Sequence, residues 1–451
     1  MAQNLNMTKG NPWKLLFTFS LPLMFGNVFQ QLYTVVDTAI VGRGVGMTAL
    51  AALGTVDWLN WMFLGIAQGF TSGFAVRISQ NFGRNNIRGM QKAAGQSAFL
   101  SAVIALAVVF LGQLLLPVFL MAMQVPIELR PMGTQYMRIM LFGFPAVMFF
   151  NYCSSLLRAV GNSKTPLFAM IAASFANIIL DIIFVFVCRW GIGGAAVATV
   201  IAQCLSGVVC AWKVVKTPEL HFKSTDWKPE HLRCKDLLAI GSPVAAKNVV
   251  IALGGMVVQS IVNGFSLAFI AGFTSTNKLY GLLEIAATSY GYAVTTYVGQ
   301  NYGAMDLDRV KKGIRSATFL AVVTSLVIST VMLVFGREIT MIFISREDPA
   351  LAQEAGNIAY WYLCAMSVSL PVLYLLYVYQ SGLQGMGNTM VPMLSGMLEF
   401  VIRVSLSITI AITGFQYGIF GAEVSAWWGA AIFLTVSYFR HYNKAKKKHA
   451  L

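Results

Sequence analysis

Apolar residues in this chain run in stretches of about 20 or more, separated by short polar connections. Each helical residue adds about 1.5 Å, so such runs match the roughly 30 Å hydrocarbon core of a bilayer. The pattern predicts about twelve spanning helices, over 15–42, 50–78, 93–121, 135–158, 167–188, 194–213, 237–264, 267–298, 314–336, 357–383, 393–414 and 420–440. The short alternating strands of a transmembrane barrel do not occur. The expectation is an all-α polytopic membrane protein. Only 214–236 is polar and long enough to join two halves. The expected domains are an N-terminal six-helix lobe (1–213), a cytoplasmic linker (214–236), a C-terminal six-helix lobe (237–440) and a basic cytoplasmic tail (441–451).

The two halves repeat each other. VVDTAIVG (35–42) matches VVQSIVNG (257–264), SQNFG (79–83) matches GQNYG (299–303), LRAVGNSKTP (157–166) matches LQGMGNTMVP (383–392), and GIGGAAV (191–197) matches GIFGAEV (418–424). The order is the same in both copies, and each copy holds an even number of spans. The copies therefore run in the same direction, as parallel repeats. Pro22, Pro145 and Pro371 fall within predicted helices, where each removes a backbone hydrogen bond and permits a bend or a hinge.

Composition agrees: 57% of residues are hydrophobic and 11% charged, against about 25% charged in a soluble domain. The net charge of +15 would suggest nucleic acid if it sat on one face. It does not. Lys and Arg gather in alternate connections (Arg84, Arg88, Lys92; Arg158, Lys164; Lys213 through Lys235; Arg309, Lys311, Lys312, Arg315) and in the tail from Lys444 to Lys448. The other connections hold only Arg43, Arg130, Arg138, Arg189, Arg337 and Arg346. This asymmetry places both termini in the cytoplasm of a multi-pass cell-membrane protein and leaves no domain for nucleic acid. The first apolar run is too long for a cleavable signal. The six cysteines form no CxxC pair, and the four histidines lie in the central connection and the tail.

Two acids break the apolar pattern. Asp37 lies in LPLMFGNVFQQLYTVVDTAIVG (21–42) and Asp181 in FANIILDIIFVFV (175–187). A charged group at mid-membrane costs about 2.5–3.5 kcal/mol or more, so a chain that keeps one there uses it to bind a cation or a proton. This points to an ion-coupled transporter. Gln30, Tyr33 and Asp37 share one helical face, and so do Asn177 and Asp181. Carboxylates, an amide and a hydroxyl are hard oxygen ligands for Na+. Two carboxylates in one dry cavity also cannot both ionise cheaply, which suits a proton equally well. The alternative is that each acid caps a neighbouring helix.

The loop after the second span, SQNFGRNNIRGMQK, lacks the acid-before-arginine pattern of the major facilitator superfamily. No phosphate-binding loop occurs, so no ATPase activity or ATPase subunit is implied. HExxH, GxSxG and paired metal-binding aspartate motifs are also missing, so an intramembrane enzyme is not indicated. VVDTAIVG, QNFG with QNYG, GNSKTP, NIILD and GAAVAT, in this order and duplicated, resemble the multidrug and toxic compound extrusion (MATE) family over essentially the whole chain.

The resemblance implies a V-shaped pair of six-helix lobes. It implies secondary active export of amphipathic, often cationic drugs or toxic metabolites by alternating access, in exchange for H+ or Na+, with no other cofactor and one chain sufficing. It implies that Asp37, Asn177, Asp181 and Thr199 line a cation site; Gln30 and Tyr33 support it by their spacing on the Asp37 face, and Pro22 in the same helix is the expected hinge. The second half departs from this: Gln259 stands at the Asp37 position, the seventh span carries Lys247, and the tenth has no acid. Its charges are Lys278, Glu284, Glu399, Arg403 and Glu423, with Glu399 and Arg403 spaced for an ion pair. They form either a stabilising network or a substrate contact. If Arg403, Lys247 and Lys278 line a cavity, the alternative is a lipid-linked oligosaccharide flippase of the same superfamily.

Overall fold

The computed structural model describes residues 5–123, 125–221, 223–342, 344 and 349–449; Arg346 lies outside them. No strand occurs among these residues. The α-helices are α1 (Pro12–Gly44), α2 (Met47–Gly83), α3 (Ile87–Ala122), α4 (Arg130–Phe142), α5 (Phe144–Ala159), α6 (Lys164–Asp181), α7 (Gly191–Val215), α8 (His231–Val262), α9 (Leu267–Gly303), α10 (Leu307–Met341), α11 (Pro349–Gly385), α12 (Met390–Thr413) and α13 (Ile419–His449). Ten spans are long and apolar enough to cross a membrane, and α4 with α5 make an eleventh that is bent by 45°. The segment expected at 267–298 is α9, 37 residues long but diluted by Thr274, Ser275, Thr276, Asn277, Lys278 and Glu284.

Pro145 corrects one expectation. It does not lie inside a straight helix but in the first turn of α5, just after the break at Gly143. A first-turn proline loses no helical bond, and Gly143 lets the chain press against the Val200 side chain. Pro371, in contrast, stays inside the unbroken α11.

Burial runs opposite to that of a soluble protein. On α3, Leu106, Phe110 and Leu114 form an outward stripe exposed by 66%, 71% and 65%, while Gln96, Ser97 and Ser101 face inward. Hydrocarbon solvates the first set, and interhelical contacts satisfy part of the second.

The sequence repeat is also a repeat of backbone conformation. Asn85 and Met305 both adopt positive φ, at 56° and 64°. The next residue in each copy caps a helix: Asn86 accepts from the Gly89 amide, and Asp306 from the Arg309 amide, both at 2.9 Å. Gly161 and Gly387 both have φ of 88°, a value that favours glycine.

The helices form two compact units. The first comprises Met1–Lys9, Leu21–Val249 and Gly299–Met305; the second comprises Gly10–Ser20, Val250–Val298 and Asp306–Leu451. In the first, α2 packs on α3 and α5, and α5 and α6 pack on α7. In the second, α10 and α13 pack on α11, and α12 packs on α13. The two QNxG turns meet inside the first unit. A Cβ at Gly83 would overlap the Gln300 carbonyl, and one at Gly303 the Gln80 carbonyl. The amides beside them hold the N-terminal segment. Met7 donates its backbone N–H to Gln300 Oε1 at 2.9 Å, and Asn301 Nδ2 donates to the Met7 carbonyl at 3.1 Å.

The polar segment 214–236 lies within the first unit and is clamped to it. Arg88 on α3 donates both Nη atoms to Asp226, at 2.8 and 2.7 Å. Buried Gln96 donates to the carbonyls of Asp226 and Lys228 and accepts from the Glu230 amide at 2.9 Å. Arg77 on α2 grips Asp236 with two bonds, at 2.7 and 2.5 Å. Burial works against ionisation of Asp226, but the Arg88 guanidinium and the Lys223 amide outweigh it and hold the carboxyl below its usual value.

Asp226→Asn should therefore lower stability by about 1.5–3 kcal/mol at neutral pH. A carboxyl depressed in the folded state stabilises above its unfolded value, about pH 4, and that stability is lost as pH falls through the folded value. The gap between wild type and variant should then close in acid, as read from thermal unfolding in detergent. By the same assay Gly303→Ala should lower the midpoint, whereas Gly421→Ala, whose Cβ meets nothing within 4 Å, should not.

Candidate cation site in the first unit

Three helices bring the expected residues together. α1 offers Gln30, Tyr33 and Asp37 at spacings of three and four, α6 ends on Asn177 and Asp181, and α7 packs on α6 and carries Thr199. Asn177 and Asp181 are 0% exposed. Asn177 Nδ2 donates to Thr199 Oγ1 at 3.4 Å. The carboxyl groups of Asp37 and Asp181 lie within hydrogen-bonding reach of each other. A carboxylate only accepts, so this contact needs a proton or a cation between the two. Beside it Tyr33 lies with Gln30 and Gln203 on one wall. A narrow cleft with room of about 20 Å³ opens here, lined by Gln30, Tyr33, Phe150, Met170, Thr199 and Gln203.

The acceptors of this site outnumber its donors. No N–H or hydroxyl of the protein reaches Asp37 Oδ1, Asn177 Oδ1, Gln203 Oε1 or either oxygen of Asp181, all of them buried. Each such oxygen costs about 1–3 kcal/mol unless something else meets it. The surplus is of oxygens alone, which is what a proton or a hard cation takes up. The capping alternative fails for Asp181: α6 passes into a π-helical turn over Ile182–Val187 with no side-chain cap from Asp181. Such π turns often occur at functional sites. No group of three or more His, Cys, Asp or Glu side chains able to hold a metal ion occurs among the described residues.

Three neighbours escaped the sequence reading. Asp57 on α2 is exposed and acts electrostatically on Asp37. Tyr136 on α4 is buried within reach of Asp37, Asp57 and Asp181. Gln203 follows Thr199 by one turn on α7. Asp57 had a signal, an acid inside TVDWLNWMF; Tyr136 and Gln203 had none.

The charges of the second half sort differently. Gln259, at the Asp37 position, bonds Asn263 just past the end of its helix at 2.9 Å. Lys278 is exposed. Lys247 is buried, 7% exposed, and belongs to the first unit. The spacing of Glu399 and Arg403 suggested a pair, but the bond that Arg403 makes is to Glu423, Nη2 to Oε1 at 2.7 Å. The reason is reach: α13 packs on α12 and brings Glu423 to Arg403. Glu399 stays within electrostatic range of Arg403, and Glu284 accepts from the Tyr377 hydroxyl. Pro22 lies within the continuous α1.

The sequence profile of the MatE family matches residues 22–183 and 243–409, once in each half of the chain. The chain is 28% identical over 348 residues to "Probable multidrug resistance protein YpnP" of Bacillus subtilis (strain 168), covering 76% of this chain and 77% of that protein. It is 24% identical over 424 residues to "Probable multidrug resistance protein NorM" of Thermotoga maritima, covering 91% of this chain and 88% of that one. Among solved structures it superposes with a TM-score of 0.90, at 21% identity and 99% coverage of both chains, on one described as "Outward-facing conformation of a multidrug resistance MATE family transporter of the MOP superfamily".

Asp181→Asn should preserve the fold, because its amide can donate to Asp37 where two carboxyl groups now need a proton; the unfolding free energy should stay within about 1 kcal/mol of wild type. Asp181→Leu leaves the Asp37 carboxyl without that partner and should cost about 1–3 kcal/mol. Thermal unfolding of the purified variants reads both, and equal losses would mean the two groups do not interact.

Proposed function

The chain belongs to the MatE family, and on that premise we propose that it is a secondary active antiporter that exports amphipathic, often cationic compounds in exchange for H+ or Na+. The relatives named for multidrug resistance supply the substrate class. The observation that carries the coupling reading is the Asp37–Asp181 pair, in which Asp37 Oδ1 and both Asp181 oxygens meet no donor among the described residues. One proton completes that pair. It also leaves Asn177 Oδ1 unmet, which keeps Na+ as the second reading.

In this reading, Asp37 and Asp181 bind the coupling ion, and Asn177 and Thr199 orient it. Tyr33, Gln30 and Gln203 form the wall through which the ion and the substrate communicate. Loss of the ion leaves two like charges in a dry cavity, and the resulting repulsion favours a different packing of α1 against α6, with Pro22 as the bending point. The protein resides in the cell membrane with both termini cytoplasmic, works on small molecules among membrane lipids, and needs one chain. Its halves act as the repeats 1–213 and 237–440, joined by 214–236 and followed by the tail 441–451. The flippase alternative has less support, because Arg403 is engaged by Glu423 and Lys278 is exposed.

Reconstituted protein should move ethidium against an imposed pH gradient. Asp37→Asn and Asp181→Asn should each lower that flux by about tenfold or more, near 1.4 kcal/mol. A sodium gradient imposed alone should give little flux if the proton reading holds, and full flux if the Na+ reading does. Undiminished flux in both variants would remove Asp37 and Asp181 from the coupling step.

A further inference from the structure

Small residues let α2 and α8 meet backbone to backbone in the first unit. A Cβ on Gly69 would lie 2.4 Å from the Ala245 Cα, and one on Gly73 would lie 2.5 Å from the Gly241 Cα. The same small residues cannot fill the space that α3 bounds on the third side. An apolar groove with room of about 380 Å³ results, lined by Phe70 of α2, Ile104, Val108 and Leu111 of α3, and Ser242 and Ala246 of α8. Ser242 is the only polar side chain among the described residues that line it, and its hydroxyl already bonds the Leu238 carbonyl at 2.7 Å. Water gains no partner there. Leu111 is 50% exposed, beside the outward stripe of α3, so the groove opens toward hydrocarbon. Ser242 and Val249 lie about 16 and 27 Å along α8 from its start at His231, so the groove runs lengthwise into the bilayer core.

Positive charge gathers where α8 begins. Every acid of 226–236 is held by a cation: Asp226 by Arg88, Glu230 by Lys92 and Arg233, and Asp236 by Arg77. The lysines of the same segment are left over. Lys228 and Lys235 are exposed and make no ion pair among the described residues. Lys235 precedes Ser242 by two helical turns, about 10 Å, and so stands on the same face of α8 as Ser242, Ala246 and Val249. Trp227, half exposed, belongs to the same segment, as aromatic rings do at the edge of a membrane. An exposed cation and an apolar groove thus follow one another along a single helix face.

We propose that this face of the first unit seats one anionic phospholipid, with an acyl chain in the groove between α2, α3 and α8 and the phosphate at Lys235. The groove accepts a hydrocarbon chain and offers nothing to a polar ligand. The surplus charge above it is positive, so it favours a headgroup of net negative charge; a choline headgroup would set a cation of its own against Lys235. A tail seated there touches α2, α3 and α8 at once and ties these helices together. The site lies wholly within the first unit, uses neither Asp37 nor Asp181, and does not rest on the transport reading.

Native mass spectrometry of the purified full-length protein, mixed with equal amounts of palmitoyl-oleoyl phosphatidylglycerol and phosphatidylcholine, tests this. The first lipid bound should be phosphatidylglycerol, preferred by about fivefold or more, the ratio that one lysine near a membrane surface supplies. Lys235→Gln should bring the two lipids close to equal. Equal binding in the wild type, or a preference that survives Lys235→Gln, overturns the headgroup seat. Ser242→Trp fills the groove and should lower first-lipid occupancy by both lipids about tenfold. Unchanged occupancy overturns the acyl-chain seat, and Ala246→Phe repeats the measurement should Ser242→Trp not fold. Excess glycerol 3-phosphate should leave the bound phosphatidylglycerol in place; displacement would make this a site for free phosphate and overturn the lipid. No transport is read, so a failure here is separate from a failure of the antiporter reading.

Discussion

Two neighbouring carboxyl groups, with Asp37 Oδ1 and both Asp181 oxygens buried and met by no donor among the described residues, set the terms for the first unit. Hydrocarbon penalises each charge by kilocalories, and the two charges penalise each other. The arrangement persists only because rigid elements hold it. α6 is held by its packing on α7, Asn177 is tied to Thr199, and Tyr33 lies between Gln30 and Gln203 in the cleft wall. Of the participants, Asp37 sits on α1, the helix that also contains a proline. The cost of the pair thus depends on how α1 lies against α6. A small ion that removes the cost also selects that placement, which is the physical content of coupling on the reading proposed.

The internal repeat shows which parts of the scaffold are geometry and which are chemistry. The turns recur in detail: left-handed Asn85 and Met305, helix caps Asn86 and Asp306, and Gly161 and Gly387 at the same φ. These positions answer to backbone requirements that are alike in both halves. The Asp37 position answers to none, and in the second half it is Gln259, satisfied by Asn263. Charge has instead been placed on α9, α12 and α13, at positions with no acid in the first half.

How legible this was depended on the range of the interactions. Spans and turns could be read because helix length, apolar runs and glycine or proline punctuation are local. Asp37 and Asp181 could be read because an acid in an apolar run is conspicuous. The 45° break at Gly143 could not, since Pro145 and the unbroken Pro371 look alike until Val200 is seen against Gly143. The docked linker could not, since Gln96 is an ordinary polar residue until it meets three backbone groups of 226–230. Helical spacing misdirected the Arg403 pairing, because an i,i+4 neighbour is only one of several acids in reach, and α13 supplied the better aligned one. Gln203 and Tyr136 become notable only through what α1 and α6 place beside them.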